Sequence, residues 1–159
     1  MSIKYIKQST VNRALRLHLK WLRNEKHGKR LTIGFAISLK INWSKINLSY
    51  ADLRSANLSS ANLSYADLSW ASTINVRNLR VISCQLNTSD QNRNIAYYPD
   101  LNLITAGCFS GTLNELKERV KEVHEKDDPS IYAKYQAVFT FIETVLEIEK
   151  RRNNHERKQ

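Results

Sequence analysis

Few side chains in this 159-residue chain could perform nucleophilic chemistry. The clearest candidate is Cys108, with His124 as a conceivable general base. A cysteine becomes a nucleophile only when a positioned partner activates its thiol, and separation along the chain does not supply that partner. We therefore expect Cys108 to be a buried turn cysteine beside Gly107. The sequence predicts no catalytic residue and a protein that is not an enzyme.

Metal and cofactor sites are equally poorly supported. The acidic pair Asp127-Asp128 fits a turn that ends a helix, and the chain's four glycines include no phosphate-binding loop. Cys84 and Cys108 are too few for a disulfide framework. The histidines lie in separate predicted elements without the spacing of metal ligands, at positions 18, 27, 124 and 155. We expect no metal, no cofactor and two free thiols.

The net charge of +10 is concentrated at the start of the chain. Residues 1–30 hold nine Lys and Arg against Glu25 alone, and residues 31–88 hold five against two acids. The remaining residues hold eleven Lys and Arg against twelve acids. The surplus is therefore a property of the N-terminal segment, where it favours phosphate or acidic protein as a partner.

The hydrophobic content of 42% is typical of a folded protein, and no apolar run reaches the length of about eighteen residues that crosses a bilayer. The segment from Met1 to Lys7 has neither the apolar region nor the cleavage site of a signal peptide. We expect a soluble protein in the cytoplasm of the host cell, with no membrane partner.

The strongest pattern is a repeat of five residues. Four consecutive units from Ala51 to Trp70 follow A(D/N)LXX, where X is any residue. Neither a strand nor a helix keeps Ala and Leu on one face at this spacing. Degraded units extend back to Leu31, with Ser38 as the clearest misfit. Forwards, the frame fails near Ser72, where we expect a bulge or corner deletion, and returns until Leu86.

These units resemble the pentapeptide-repeat family. The resemblance implies a right-handed quadrilateral β-helix with four pentapeptides per coil. The expected fold is a β-solenoid with α flanks: a short right-handed quadrilateral β-helix of about three coils, an N-terminal capping helix and a C-terminal two-helix cap. Residues twenty apart then stack, which predicts an outward aromatic face of Tyr50, Tyr65 and Trp70. This face either anchors a partner or packs laterally against the flanking helices.

A helix is predicted from Thr10 to Asn24, with Trp21 on its apolar side and His18 as a packed, hydrogen-bonded residue on the same side. Its opposite side is a basic stripe that engages phosphate, an acidic protein groove or an anionic nucleotide, unless it is a solvated face. The residues of the basic stripe are Arg13, Arg16, Lys20 and Arg23.

The C-terminal part reads as a polar loop to Asn94, short extended segments and two helices. Thr112 and Glu115 form a capping box for the first helix, which runs to about Lys126, and the second runs from Pro129 to about Arg152. The predicted domains are 1–30, a basic capping helix; 31–88, the repeats; 89–152, extended segments with two helices; and 153–159, a polar tail.

The layout resembles small pentapeptide-repeat proteins of phages and mobile elements, through His18-Leu19-Lys20-Trp21-Leu22 and the segment from Ala106 to Thr112. Family members of known role act mostly by surface shape. Several mimic duplex DNA and bind gyrase, and a phage-type member is an anti-CRISPR protein. DNA mimicry requires a strongly acidic repeat, which residues 31–88 are not.

We therefore expect a non-catalytic counter-defence protein, anti-CRISPR-like, or a host-takeover inhibitor that acts through protein–protein contacts with a host protein or defence complex. A homodimer is also possible. The alternative is a binder or sequestering protein for nucleic acid or an anionic nucleotide signal, acting through the basic N-terminal helix.

Overall fold

The computed structural model describes residues 8–33, 41–58, 61–88 and 92–156. A repeat segment lies between an N-terminal helix and an antiparallel sheet, and two further helices follow the sheet. Among the described residues, no helix combines the length and apolar character needed to cross a bilayer. The elements in chain order are α1 (Gln8–Leu22), β1 (Ile82–Asn87), β2 (Asn92–Tyr98), β3 (Leu103–Ala106), β4 (Phe109–Gly111), α2 (Leu113–His124) and α3 (Pro129–Glu156).

The repeat segment consists of turns joined by isolated parallel bridges. Each bridge connects residues that are twenty apart in the chain, as Asp52 does with Thr32 on one side and Ser72 on the other. At each such point backbone hydrogen bonds run between turns, for example from Leu53 N to Ser72 O at 2.9 Å. The central apolar residues of the repeats point inward, and Leu48, Leu53 and Leu68 have no exposed surface.

The predicted fold class is nevertheless wrong. Among the described residues, the regular sheet is the four-stranded antiparallel one from β1 to β4, accompanied by three helices, and the chain is not a multi-coil right-handed β-helix. Because the chain turns once in every five residues, only one residue of each repeat bridges to a neighbouring turn. The repeats therefore form no regular strand. Cys84-Gln85-Leu86, counted as the last repeat, lies in β1 and pairs with β2. The reason is the alternation of apolar and polar residues from Ile82 to Asn87, which suits a strand with one covered face.

The predicted two-helix cap of the repeats is also wrong, because the sheet packs against the repeats in place of the helices. Ala96 and Tyr98 of β2, with Leu101 and Leu103, pack against the core of the repeats. The buried residues of α2 and α3 belong instead to a second core on the other side of the sheet. The repeats are thus covered by the sheet rather than by the C-terminal helices.

Strand β2 separates the two cores because successive side chains of a strand point to opposite faces. Ala96 and Tyr98 face the repeats, whereas Ile95 and Tyr97 face α2 and α3. Burial raises the pKa of Tyr98, and hydrogen bonds of its side chain with Thr73 and Thr105 oppose that rise. These bonds tie the repeats to β3 through one tyrosine.

The repeat frame continues through Ser72, where a bulge or deletion was expected. Ser72 bridges to Asp52, and Asn75 has the positive φ, 56°, found at the earlier corners. Thr73 occupies the place of the central Leu, and Tyr98 satisfies its polar side chain. The interruption predicted near Ser72 is therefore misplaced: Thr73 is a substitution within a frame that continues to Arg77, and the corner spacing changes only afterwards, with the next positive φ at Asn78 rather than at residue 80. The misfit at Ser38 lies outside the described residues.

In five of the described repeats, the Asp or Asn makes the same hydrogen bond. Its Oδ1 atom accepts the backbone N–H of the residue two positions later, at 2.9 to 3.2 Å. This side-chain turn satisfies an N–H group at the corner, and Asp and Asn have the reach for it. This hydrogen bond explains why the second position of the repeat is Asp or Asn at Asn42, Asn47, Asp52, Asn62 and Asp67.

The helices lie close to their predicted positions. Helix α1 begins two residues earlier than expected and ends at Leu22, and α3 begins at Pro129 and continues to Glu156. The capping box of Thr112 and Glu115 is confirmed at the start of α2. Strand β2 already begins at Asn92, within the segment expected to be a loop, and strand β4 was not predicted. The four-part division of the chain stays a prediction.

Replacing Asn62 tests the hydrogen bond made by the second residue of the repeat. Asn62→Ala removes the acceptor of Ser64 N and should lower the free energy of unfolding by about 1 kcal/mol. Asn62→Asp keeps an acceptor oxygen and should unfold near the wild-type midpoint at neutral pH. Urea denaturation of the wild type and of both variants measures these free energies of unfolding. Equal stability of the two variants would contradict this role of the side chain.

Candidate functional site

His18 joins α1 to the repeats from a fully buried position. Leu31 N donates to His18 Nδ1 at 3.1 Å, and His18 Nε2 lies 3.0 Å from Ser49 O. The ring is therefore the neutral tautomer that carries its proton on Nε2 and donates it to the carbonyl. Burial lowers the pKa of His18, the bond to Ser49 opposes this, and the charge of Arg30 lowers it further. The prediction of a packed, hydrogen-bonded histidine is confirmed.

A column of aromatic rings extends from His18 along the outside of the repeats. The rings of His18 and Trp21 stack at 5.7 Å, and Trp21 meets Tyr50 edge-on at 6.4 Å. Tyr50 and Trp70 stack at 6.2 Å with 7° between their planes. We call Trp21, Tyr50 and Trp70 the aromatic column. Two of its members, Tyr50 and Trp70, belong to the predicted aromatic face, and their stacking confirms the twenty-residue register.

Helix α1 covers the aromatic column only in part. Trp21, which we placed on the apolar side of α1, contacts Tyr50 yet remains 39% exposed, and Tyr50 remains 45% exposed. Trp70 is half-buried, and within the described residues its buried Nε1 atom has no hydrogen-bond partner. The lateral contact expected as one alternative exists, but it leaves exposed aromatic surface.

Tyr65, the third predicted member of the aromatic face, lies at another corner and is 83% exposed. Its φ of 60° is in the left-handed region, like those of Tyr50 and Trp70. Bulky residues in this region are uncommon and cost about 1 kcal/mol or more each. The three aromatics therefore occupy strained corners without full burial.

The basic stripe is exposed on α1 and the turn after it. Arg13, Arg16 and Lys20 have exposed side chains that form no ion pair within the described part of the chain. Arg23 lies beyond the end of α1 and pairs with Glu25 at 3.6 Å. Three of the four predicted residues thus present uncompensated positive charge on one helix.

Cys108 and His124 both line a cavity beside the sheet. Cys108 is exposed, so its expected burial is wrong: Gly107-Cys108 forms the tip of the turn between β3 and β4. Cys84 is half-buried in β1, where burial raises the pKa of its thiol. Within the described residues no hydrogen bond links Cys108 to His124, and no group of three potential ligands could hold a metal ion.

Three residues of the site were missed in the sequence. Trp21 was identified only as an apolar helix residue. Arg30, whose Nε donates to Tyr50 O, lies twenty positions before Tyr50, so the register of the repeat could have identified it. Arg93 lies beside Gly107, next to Trp70, and no local pattern relates these three positions.

Comparison with known proteins gives one match. Residues 44–72 match the family model described as pentapeptide repeats (8 copies). No curated protein and no solved structure shows a significant match to the chain. The matched segment contains Tyr50, Tyr65 and Trp70, whereas α1, the sheet and the C-terminal helices lie outside it.

Removing the strained exposed tyrosine should not weaken the fold. We expect Tyr65→Asn to keep the wild-type free energy of unfolding or to raise it by up to about 1 kcal/mol, because Asn tolerates the left-handed corner better. Tyr65→Phe retains the strain and should unfold like the wild type. A loss of stability in the Asn variant, measured by urea denaturation, would mean that Tyr65 supports the fold.

The buried neutral His18 should make the protein sensitive to mild acid. Its pKa in the folded state lies below the ordinary 6.5, so the unfolded chain takes up the proton first as the pH falls. The stabilising contribution of the neutral ring is therefore complete above pH 6.5 and is lost as the pH falls from 6.5 towards the folded-state value. Denaturation midpoints between pH 7.5 and 5 should fall less steeply for His18→Gln, and parallel profiles would refute this assignment.

Proposed function

We propose that this chain, a member of the pentapeptide-repeat family through residues 44–72, binds another protein through its aromatic column and Tyr65. Proteins of this family generally act by protein–protein interaction and are generally not catalysts. The observation that carries the proposal is Tyr65, an aromatic side chain that is 83% exposed at a strained corner. Exposure of this ring does not stabilise the isolated fold, whereas an exposed aromatic anchor contributes strongly to a protein interface.

The arrangement around the column suits a protein partner. The exposed edges of Trp21 and Tyr50 supply rigid apolar area at little cost in side-chain entropy. The basic stripe on the opposite side of α1 adds positive charge to the same helix, which steers an acidic partner surface. We infer a partner with an apolar patch that receives the rings and with acidic residues at its rim.

A narrower role as a counter-defence or host-takeover inhibitor in the host cytoplasm is also part of the proposal. It is supported by the resemblance of His18-Leu19-Lys20-Trp21-Leu22 and of the Ala106–Thr112 segment to phage-type members of the family. In this chain His18 and Trp21 position the aromatic column, so the resembling motif lies at the proposed contact surface. A host defence complex that loses activity when this protein is added would be the expected target.

The exposed charge on α1 favours a second candidate function, the binding of nucleic acid or of an anionic nucleotide. Arg13, Arg16 and Lys20 lie on one helix without ion-pair partners in the described residues. Binding of phosphates by such a stripe depends steeply on salt concentration, because it releases condensed counterions.

Capture of partners from the native host separates the two candidates. The tagged wild-type chain should retain a specific protein at 0.3 M salt, and Tyr65→Asn should reduce its recovery about tenfold or more, the effect of losing a strong interface anchor. Arg16→Glu/Lys20→Glu should slow association without abolishing it, and Cys108→Ser should behave like the wild type. Retention of nucleic acid that disappears in salt and in the α1 variant, with no effect of Tyr65→Asn, would favour the second candidate instead.

A further inference from the structure

A cavity of about 600 Å³ lies between the turn of β3 and β4 and the helices α2 and α3. This volume is within the range of about 300–1,000 Å³ that is typical of small-molecule sites. Its wall combines apolar residues of α2, such as Leu116 and Val120, with polar groups from Thr88 and Ser110. A cavity with apolar walls and a few convergent polar groups has the general character of a ligand site.

Positive charge dominates the described lining of this cavity. Arg93 from β2 and Arg119 from α2 both contribute to it, and the lining contains neither Asp nor Glu. Within the part of the chain that the structure describes, neither guanidinium takes part in an ion pair. Arg93 Nε donates to Thr88 Oγ1 at 3.0 Å, which fixes the group at the wall. Two arginines without carboxylate partners favour an anionic ligand, since the guanidinium fork matches phosphate and carboxylate.

Gly107 leaves room for the guanidinium of Arg93. A Cβ atom at position 107 would lie 2.6 Å from Arg93 Nη1, and the φ of +61° at this residue favours glycine. The turn between β3 and β4 thus gives the arginine space that any other residue would fill. The position of the guanidinium follows from the backbone of this turn and from Thr88 rather than from a carboxylate.

Planar side chains form another part of the wall. The rings of His124 and Tyr135 stack at 5.9 Å with 14° between their planes, and Phe109 lies on the same cavity. Tyr135 is buried, which raises the pKa of its hydroxyl, while the charge of Arg93 opposes the rise. The hydroxyl remains protonated at neutral pH and can donate a hydrogen bond. Such a wall favours a ligand with a flat ring.

We propose that this cavity binds a small anion that carries a planar ring, the chemistry of a mononucleotide. The two arginines receive the phosphate, and Phe109 with the stacked pair of His124 and Tyr135 receives the base. The site shares no residue with the basic stripe of α1 and does not depend on the proposed protein partner.

Calorimetric titration of the full chain with AMP, GMP, CMP, UMP and inorganic phosphate tests the proposal. At least one nucleotide should bind with a Kd below about 1 mM, and phosphate alone should bind at least tenfold more weakly. Arg119→Gln, which alters an exposed residue of α2, and Arg93→Gln should each weaken nucleotide binding about tenfold, the size of a lost charged hydrogen bond. Arg77→Gln, at an exposed residue of the repeats that lies outside the cavity and outside the basic stripe, is the matched control and should bind like the wild type.

Three results would overturn the proposal: no nucleotide binding below about 1 mM, equal affinity for inorganic phosphate, or loss of binding in a variant of the basic stripe, Arg16→Gln, but not in Arg119→Gln. Thermal unfolding of each variant establishes that it is folded. If Arg93→Gln does not fold, Arg119→Gln decides the test, because its side chain projects from the exposed surface of α2.

Discussion

A corner in every five residues is the constraint on which the rest of this structure depends. It brings the chain back to the same place after twenty residues, so the second residue of a repeat bridges to the second residue of the repeat twenty positions later. The corner requires a positive φ from residues that are not glycine, including Lys45, Tyr50 and Trp70. Bridges and side-chain hydrogen bonds to the corner N–H groups offset that strain. The order of the aromatic column is a direct result of this geometry.

The second constraint is that a short stack of turns has apolar ends that need cover. Helix α1 covers one apolar region of the repeats through Val11 and Leu15, and His18 fixes the position of the helix by hydrogen bonds with two backbone groups of the repeat segment. Strand β2 covers another with Ala96 and Tyr98, and its opposite face supports a second core. One seven-residue strand therefore connects the repeats to the C-terminal helices.

The sequence predicts what is local and periodic. The inward residues of the repeats, the packing of His18 and the capping box of Thr112 all follow from spacing, and the stacking of Tyr50 on Trp70 follows from the register. The predicted fold class was wrong because the five-residue period shows how successive turns stack but not at which residue the stack ends. The apolar residues within 82–87 fit both the five-residue spacing of the repeats and the two-residue alternation of a strand. Pairing with β2 makes this segment a strand. Arg93 and Arg119 meet in one cavity only through that pairing and the packing of α2, so no sequence spacing could reveal it.

The repeats and the cavity meet at Gly107. A Cβ atom there would lie 2.6 Å from Arg93 Nη1 and 3.6 Å from Trp70 Cζ2, so the end of the aromatic column and the charged wall of the cavity adjoin the same turn. This turn is held by the pairing of Ala106 with Phe109 and of Ala106 with Ile95. Its left-handed glycine cannot be replaced without strain. Trp70 and Arg93 therefore adjoin one turn, whose position is set by the pairing of the sheet.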